Sequence, residues 1–266
     1  MPMPIRKPWT EDDLLVAMNL YHKLTFGQFD QGQPVIVEVA RKLGRTPGSV
    51  AMKLSNLASL DPSMKLRGIV GLRGASILDR AMWKAFHKDL EKSVPASEEA
   101  FRRLFTTDDE DEVSVVPKVG VKVTKNPPAG GTETRANIKV RRGQDYFRTA
   151  VLNNFEGRCG VTGIAISELL IASHILPWSS HPKERLNVRN GLSLSRLHDA
   201  AFDQGLITFD DELKLILSAS IRDALDNKAA EDCFGAYEGK PLQLPKDAAL
   251  PDIRFLEHHR RKIFRP

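Results

Sequence analysis

His174, Asn190 and His198 are polar residues set in the most apolar part of a 266-residue chain. His174 closes the run Leu169-Leu170-Ile171-Ala172-Ser173-His174-Ile175, and Asn190 precedes Gly191-Leu192-Ser193-Leu194. His198 stands inside Arg196-Leu197-His198-Asp199-Ala200-Ala201-Phe202-Asp203. An imidazole titrates near neutral pH, so it can move a proton or ligate a metal. Taken singly, each histidine reads as a hydrogen-bonded core residue and Asn190-Gly191 as a tight turn. Taken together, a strand ending in His, a loop, a strand opening at Asn and a helix bearing His form a β-β-α unit. Folded as a finger, that unit brings strand end and helix face around one small pocket.

The surrounding elements fit such a finger. Short strand signals cover Leu169–Ile175 and Gly191–Leu194, followed by a helix over Ser195–Phe202 that Gly205 ends. A hairpin of Leu206–Phe209 and Leu213–Leu217 turns at Asp210-Asp211. Upstream, Gln144–Phe155 spaces Phe147, Val151 and Leu152 as the inner face of a helix. A C-terminal helix packs through Phe255, Leu256 and Ile263, with surface or structural roles for His258 and His259. Cys159 opens a turn and reads as buried.

Ala172-Ser173-His174-Ile175-Leu176-Pro177-Trp178, Asn190-Gly191-Leu192-Ser193-Leu194 and Leu197-His198-Asp199-Ala200-Ala201-Phe202-Asp203 together resemble the HNH endonuclease signature. The likeness is narrower still to bacterial HNH proteins related to restriction endonucleases. It extends to Arg142-Gly143-Gln144, Phe147-Arg148, Arg158–Gly163, Phe255–Arg260 and Phe264-Arg265, and to Arg45–Asn56 near the N-terminus. The resemblance implies a ββα-metal fold that hydrolyses phosphodiesters of double-stranded DNA, in restriction or another defence against foreign DNA. It casts His174 as general base, Asn190 as the residue that pins the loop or the His174 ring, and His198 as ligand to a divalent cation. Mg²⁺ is the expected ion, with Mn²⁺ or another divalent ion as alternatives. Where many HNH nucleases place an Asp or His ligand directly before the first histidine, this chain has Ser173. Asp203 is then the preferred carboxylate ligand and Asp199 the alternative. Products would carry 5′-phosphate and 3′-hydroxyl ends. Double-strand cleavage by such a centre needs two copies, which leaves a homodimer open. The rival readings are a non-catalytic DNA-binding regulator built on a relic HNH fold, and an RNA-cleaving nuclease.

The first hundred residues read as helices. Thr10 with Asp13 makes a capping-box-like start, Pro34 opens a second helix that stops at Gly44, and Thr46-Pro47 opens a third. A fourth, over Ser76–Lys92, turns Ile77, Ala81, Met82, Ala85 and Phe86 inward. The short link Gly44-Arg45 suits a helix-turn-helix. On the third helix Ser49, Lys53 and Asn56 share a face turned away from Val50, Leu54 and Leu57; with Arg45 they are the expected DNA contacts. Arg142, Gln144 and Arg148 are further candidates for phosphate contact.

Between these halves, the acidic run Asp108–Glu112 is followed by Lys125-Asn126-Pro127-Pro128-Ala129-Gly130-Gly131-Thr132, which cannot hold a regular element. The expected organisation is a helical, helix-turn-helix-like domain over 1–105, a linker over 106–137 and an HNH domain over 138–266, α+β in class. A net charge of +5 and a sequence pI of about 9.2 suit a polyanionic partner. Two cysteines give no disulfide framework. No stretch has the length of a membrane span or the apolar core of a secretory signal, so a reduced, cytoplasmic protein is expected.

Overall fold

The computed structural model describes residues 7–108, 111–125 and 135–266, with only the backbone described over 135–142. The Pro- and Gly-containing run from 126 to 132 lies outside the described residues. The chain divides into two compact units, Met1–Thr149 and Ala150–Pro266.

In the first unit, side-chain caps or a first-position proline mark the starts of the first helices. The Thr10 hydroxyl accepts from the Asp13 amide at 3.1 Å, and the Asp13 carboxylate accepts from the Thr10 amide at 3.3 Å, opening α1 (Glu11–Lys23). Helix α2 (Pro34–Leu43) has proline at its first position and ends at Gly44 in the left-handed region. The Thr46 hydroxyl accepts from the Ser49 amide at 3.2 Å to open α3 (Pro47–Ala58), which is followed by the short α4 (Pro62–Leu66). Leu14, Met18, Leu20, Ile36, Val39, Leu54 and Leu57 form the core. Each such side chain contributes roughly 1.5–3 kcal/mol by leaving water.

The single helix expected over Ser76–Lys92 is two. A Ser76–Asp79 capping box opens α5 (Ile77–Lys88), and the Asp89 carboxylate then accepts from the Lys92 amide at 3.1 Å to start α6 (Leu90–Phe105). The expected inner face is also rotated. Asp79 and Phe86 are the buried residues of α5, whereas Ile77 is 89% exposed and Ala81 and Ala85 face solvent. The reason is electrostatic: both Asp79 carboxylate oxygens accept from the buried Lys53 ammonium, at 2.7 and 2.8 Å, which draws that edge of the helix inward.

The segment expected as a linker, in which the weak alternation of Val113–Val123 suits a short strand, carries regular structure. Strands β1 (Glu112–Val116) and β2 (Gly120–Thr124) form an antiparallel hairpin, Val115 pairing with Val121. It docks on α2, where a Glu38 carboxylate oxygen accepts from the Val121 amide at 3.4 Å. A Cβ at Gly120 would sit 2.1 Å from that oxygen, and its φ of +129° favours glycine as well. Helix α7 (Arg135–Asn154) follows, beginning earlier than Gln144, and the boundary between the units falls within it.

The second unit holds two small hairpins with helices beside them. Strands β3 (Leu170–His174) and β4 (Gly191–Ser195) pair antiparallel, with His174 opposite Gly191 and Leu170 opposite Ser195. Helix α8 (Arg196–Asp203) follows β4 without a break, so β3, β4 and α8 make a ββα unit. Strands β5 (Ile207–Phe209) and β6 (Leu215–Leu217) form the second hairpin, and α9 (Ala219–Arg222), α10 (Lys228–Cys233) and α11 (Ile253–Lys262) complete the unit. Leu170, Leu192, Leu194, Phe202, Ile207, Phe209, Leu217 and Leu256 are fully buried between them. Among the described residues, no helix is long and apolar enough to cross a membrane.

Candidate active site

Residues Ile171–Ile175 of β3 and its end, Pro177 and Trp178 of the following loop, Asp199 and Asp203 of α8, and His259 and Ile263 of the C-terminal segment line a cleft of about 470 Å³. His174 is held in it by a hydrogen bond and a ring contact. Its Nε2 lies 2.9 Å from the carbonyl oxygen of Arg185. A carbonyl only accepts, so Nε2 carries the proton and Nδ1 the lone pair. The Trp178 ring meets the imidazole edge-on with centroids 5.3 Å apart, and the Arg185 guanidinium lies over that indole at 5.0 Å while its Nε donates to the Trp178 carbonyl at 2.7 Å. Burial pushes the His174 pKa below the usual imidazole value, with the Arg185 carbonyl and the nearby Asp199 acting in the opposite direction. The ring is therefore a neutral base at neutral pH.

Asn190 lies outside this cleft. It is fully buried, its side-chain oxygen accepts from the Leu176 amide at 2.8 Å, and its nitrogen donates to the carbonyls of Glu184 at 3.1 Å and Leu176 at 3.4 Å. It ties the end of β3 to the loop that supplies the Arg185 carbonyl. Of the two roles expected for it, it pins the loop and not the ring.

His198 is placed differently from expectation. The sequence reading made it the metal ligand, but both its nitrogens are engaged away from the cleft. Nε2 donates to the Cys233 carbonyl at 2.9 Å, and Nδ1 accepts from the Ser195 hydroxyl at 2.8 Å. The ring is buried and packs against Phe234 at 5.2 Å. Desolvation lowers its pKa. It joins the start of α8 to the end of α10.

The helix faces the cleft through its next residue instead. Asp199 and Asp203 are one turn apart on α8 and both line the cleft with His174. Neither carboxylate has a hydrogen-bond or ion-pair partner among the described residues. Burial and the neighbouring Asp199 charge push the Asp203 pKa up. Two carboxylates facing one cleft are oxygen donors that could hold a cation. Ser173 adds a second sign, because its buried hydroxyl lacks a hydrogen-bond partner and the residue lines the same cleft. Among the described residues no three His, Cys, Asp or Glu side chains approach closely enough to enclose an ion. That excludes a closed cage of these residues among those described. Sequence reasoning preferred Asp203 and assigned Asp199 only second place, and it missed Arg185.

The expected DNA-binding residues fare differently. Lys53 is buried in its pair with Asp79, and Asn56 is buried beside Gly74, so the α3 face offered to DNA is turned inward. The Arg45 guanidinium donates to the carbonyls of Lys7 and Pro8 and pairs with Asp13 at 2.6 Å, its side chain 5% exposed. Lys53 and Arg45 also lie over the Trp9 ring, at 4.9 and 4.1 Å. Ser49 is half-buried; Gln144 and Arg148 are exposed on α7, and the Arg142 side chain lies outside the described residues.

Residues 159–210 match the family model described as HNH endonuclease. No curated protein matches the chain. The matched segment begins at Cys159, whose sulfur accepts from the Ser195 amide at 3.2 Å under β4, and it spans β3, β4, α8 and β5. It therefore takes in the ββα unit, His174 and both carboxylates: this segment of the second unit is similar to HNH endonuclease domains.

Proposed function

We propose that the chain is a divalent-metal-dependent DNA endonuclease acting in restriction or another defence against foreign DNA. The observation that carries the nuclease reading is one cleft shared by a neutral, carbonyl-anchored imidazole and two unpaired carboxylates. A phosphodiester is anionic with a poor leaving group, so its hydrolysis needs an activated water and positive charge at the phosphate. His174, with its lone pair on Nδ1, takes the proton from that water. Asp199 and Asp203 would hold a divalent cation, with the Ser173 hydroxyl alongside. When bound, that cation polarises the scissile phosphate and stabilises the departing 3′ oxygen. Asn190 and Arg185 position the base through the loop.

The defence role rests on the likeness of the flanking segments to restriction-related HNH proteins. Double-stranded DNA is the proposed substrate, with 5′-phosphate and 3′-hydroxyl ends, and two copies acting together would cut both strands. Incubating the purified chain with supercoiled plasmid and with structured RNA, in Mg²⁺, Mn²⁺ or chelator, tests this. Metal-dependent nicking of plasmid is expected. Preferential RNA cleavage would overturn the substrate, and cleavage of neither would reduce the domain to a relic.

A further inference from the structure

The N-terminal unit offers a second surface that α3 does not supply. Between 62 and 88 the sequence holds six Lys and Arg residues and one carboxylate, Asp79, and that carboxylate is buried against Lys53. The outer face of α5 is therefore cationic. Arg80, Lys84 and Lys88 follow one another at one-turn spacing, are exposed, and have no ion-pair partner among the described residues. The row is about 12 Å long, which along one strand of B-form DNA covers about three or four phosphates.

Between and beside these cations stand Ile77, Ala81 and Ala85, also exposed. Small side chains let a helix backbone come close to whatever it meets. The loop before α5 extends the surface with exposed Lys65 and Arg73. That loop is fixed against the end of α3: the Leu72 amide donates to the Ser55 carbonyl at 3.1 Å, and a Cβ on Gly71 would lie 2.3 Å from the same oxygen. A rigid surface with a row of uncompensated cations matches a rigid polyanion.

We propose that the outer face of α5 and the loop before it bind the phosphate backbone of double-stranded DNA. This rests on the nuclease reading and gives it a substrate-docking surface separate from the HNH cleft. The occupant is a backbone and not a base edge, because ammonium and guanidinium groups spaced along a flat alanine strip supply charge without a hydrogen-bonding pattern for bases. An anionic membrane is the competing occupant, since Leu66, Val70 and Leu72 are exposed nearby.

The test is equilibrium binding of a fluorescent duplex by the full chain in chelator, as a function of salt. It compares wild type with the triple variant Arg80→Ala/Lys84→Ala/Lys88→Ala and with Lys228→Ala/Lys240→Ala, which removes exposed cations of the other unit. Loss of three phosphate contacts lowers the slope of log K against log salt by about 2.7 and weakens binding by about two orders of magnitude near 0.1 M salt. The control pair is expected to change binding less than threefold. Lys84→Glu alone is expected to weaken it at least tenfold, and circular dichroism checks that each variant is folded. Equal binding by wild type and the triple variant, or an equal loss in the control, overturns the surface while leaving the nuclease reading intact. Duplex left unbound by wild type that still nicks plasmid also overturns the surface and not the chemistry. Binding of phosphatidylserine vesicles that the triple variant loses, with duplex binding unchanged, assigns the face to membranes instead.

Discussion

The Nε2–H of His174 donates to the carbonyl oxygen of Arg185 across 2.9 Å, and this one bond decides which ring nitrogen is basic. In the metal-free protein, ¹⁵N-edited NMR is expected to show the Nε2–H tautomer and a His174 titration below the usual 6.5, because burial disfavours the imidazolium. Protonation would then set in only at pH values where an ordinary imidazole is already charged. A midpoint at or above 6.5, or an Nδ1–H tautomer, would remove His174 as the poised base.

Asp199 and Asp203 repel each other across one turn of α8. The Asp203 pKa is raised in the folded chain, so the stability it contributes is present at low pH and lost as pH rises through that raised value. Asp199→Asn relieves the repulsion. The metal-free variant should melt no lower than wild type near neutral pH, while the rise in Tm on adding Mn²⁺ should fall sharply or vanish. An unchanged Mn²⁺-induced rise would mean the cation sits elsewhere.

His198→Ala separates a structural histidine from a ligand. The substitution leaves the Cys233 carbonyl and the Ser195 hydroxyl short of a partner, at a cost of about 1–3 kcal/mol. Chemical denaturation is expected to show that loss, with the Mn²⁺-induced stabilisation retained once normalised to the lower baseline. Loss of metal response without loss of stability would restore the ligand role.

These outcomes bear on what the sequence could disclose. Caps are local chemistry, so Thr10, Pro34, Gly44 and Thr46 marked helix ends that the structure shares. The ββα order was readable for the same reason: strand, asparagine turn and helix each have short-range signals. Which face of α8 meets the cleft was also partly in the sequence. Residues four apart lie about 40° from each other around a helix, whereas His198 and Asp203, five apart, lie about 140° apart. Asp199 with Asp203 was therefore the geometrically consistent pair. The Arg185 carbonyl could not be read, because any residue carries one. Lys53 was misread since its partner, Asp79, is 26 positions away and only tertiary packing brings them together. The same long-range pair turned α5 and exposed Ile77.

His259, at the edge of the cleft, gives a stability test. It is buried, stacked on Phe202 at 3.7 Å, and hydrogen-bonded to the Thr208 hydroxyl and the Phe202 carbonyl. Burial, the largest influence, and nearby cations pull its pKa down to about 4. Its contribution is thus complete above about pH 6.5, where the unfolded chain is also neutral, and is lost as pH falls toward 4. That loss is on the order of 2–3 kcal/mol. Tm measured from pH 7.5 to 4 is expected to fall less steeply in His259→Gln than in wild type, from a lower starting value. Parallel curves would show that His259 does not carry the acid sensitivity.

The central claim is that the imidazole in the cleft carries proton transfer for phosphodiester hydrolysis. Single-turnover nicking of supercoiled plasmid in Mg²⁺, compared between wild type and His174→Ala at equal DNA occupancy, reads it directly. Losing a positioned general base predicts a rate lower by about 10²–10⁴-fold with binding preserved. Equal rates in the two proteins would contradict the account.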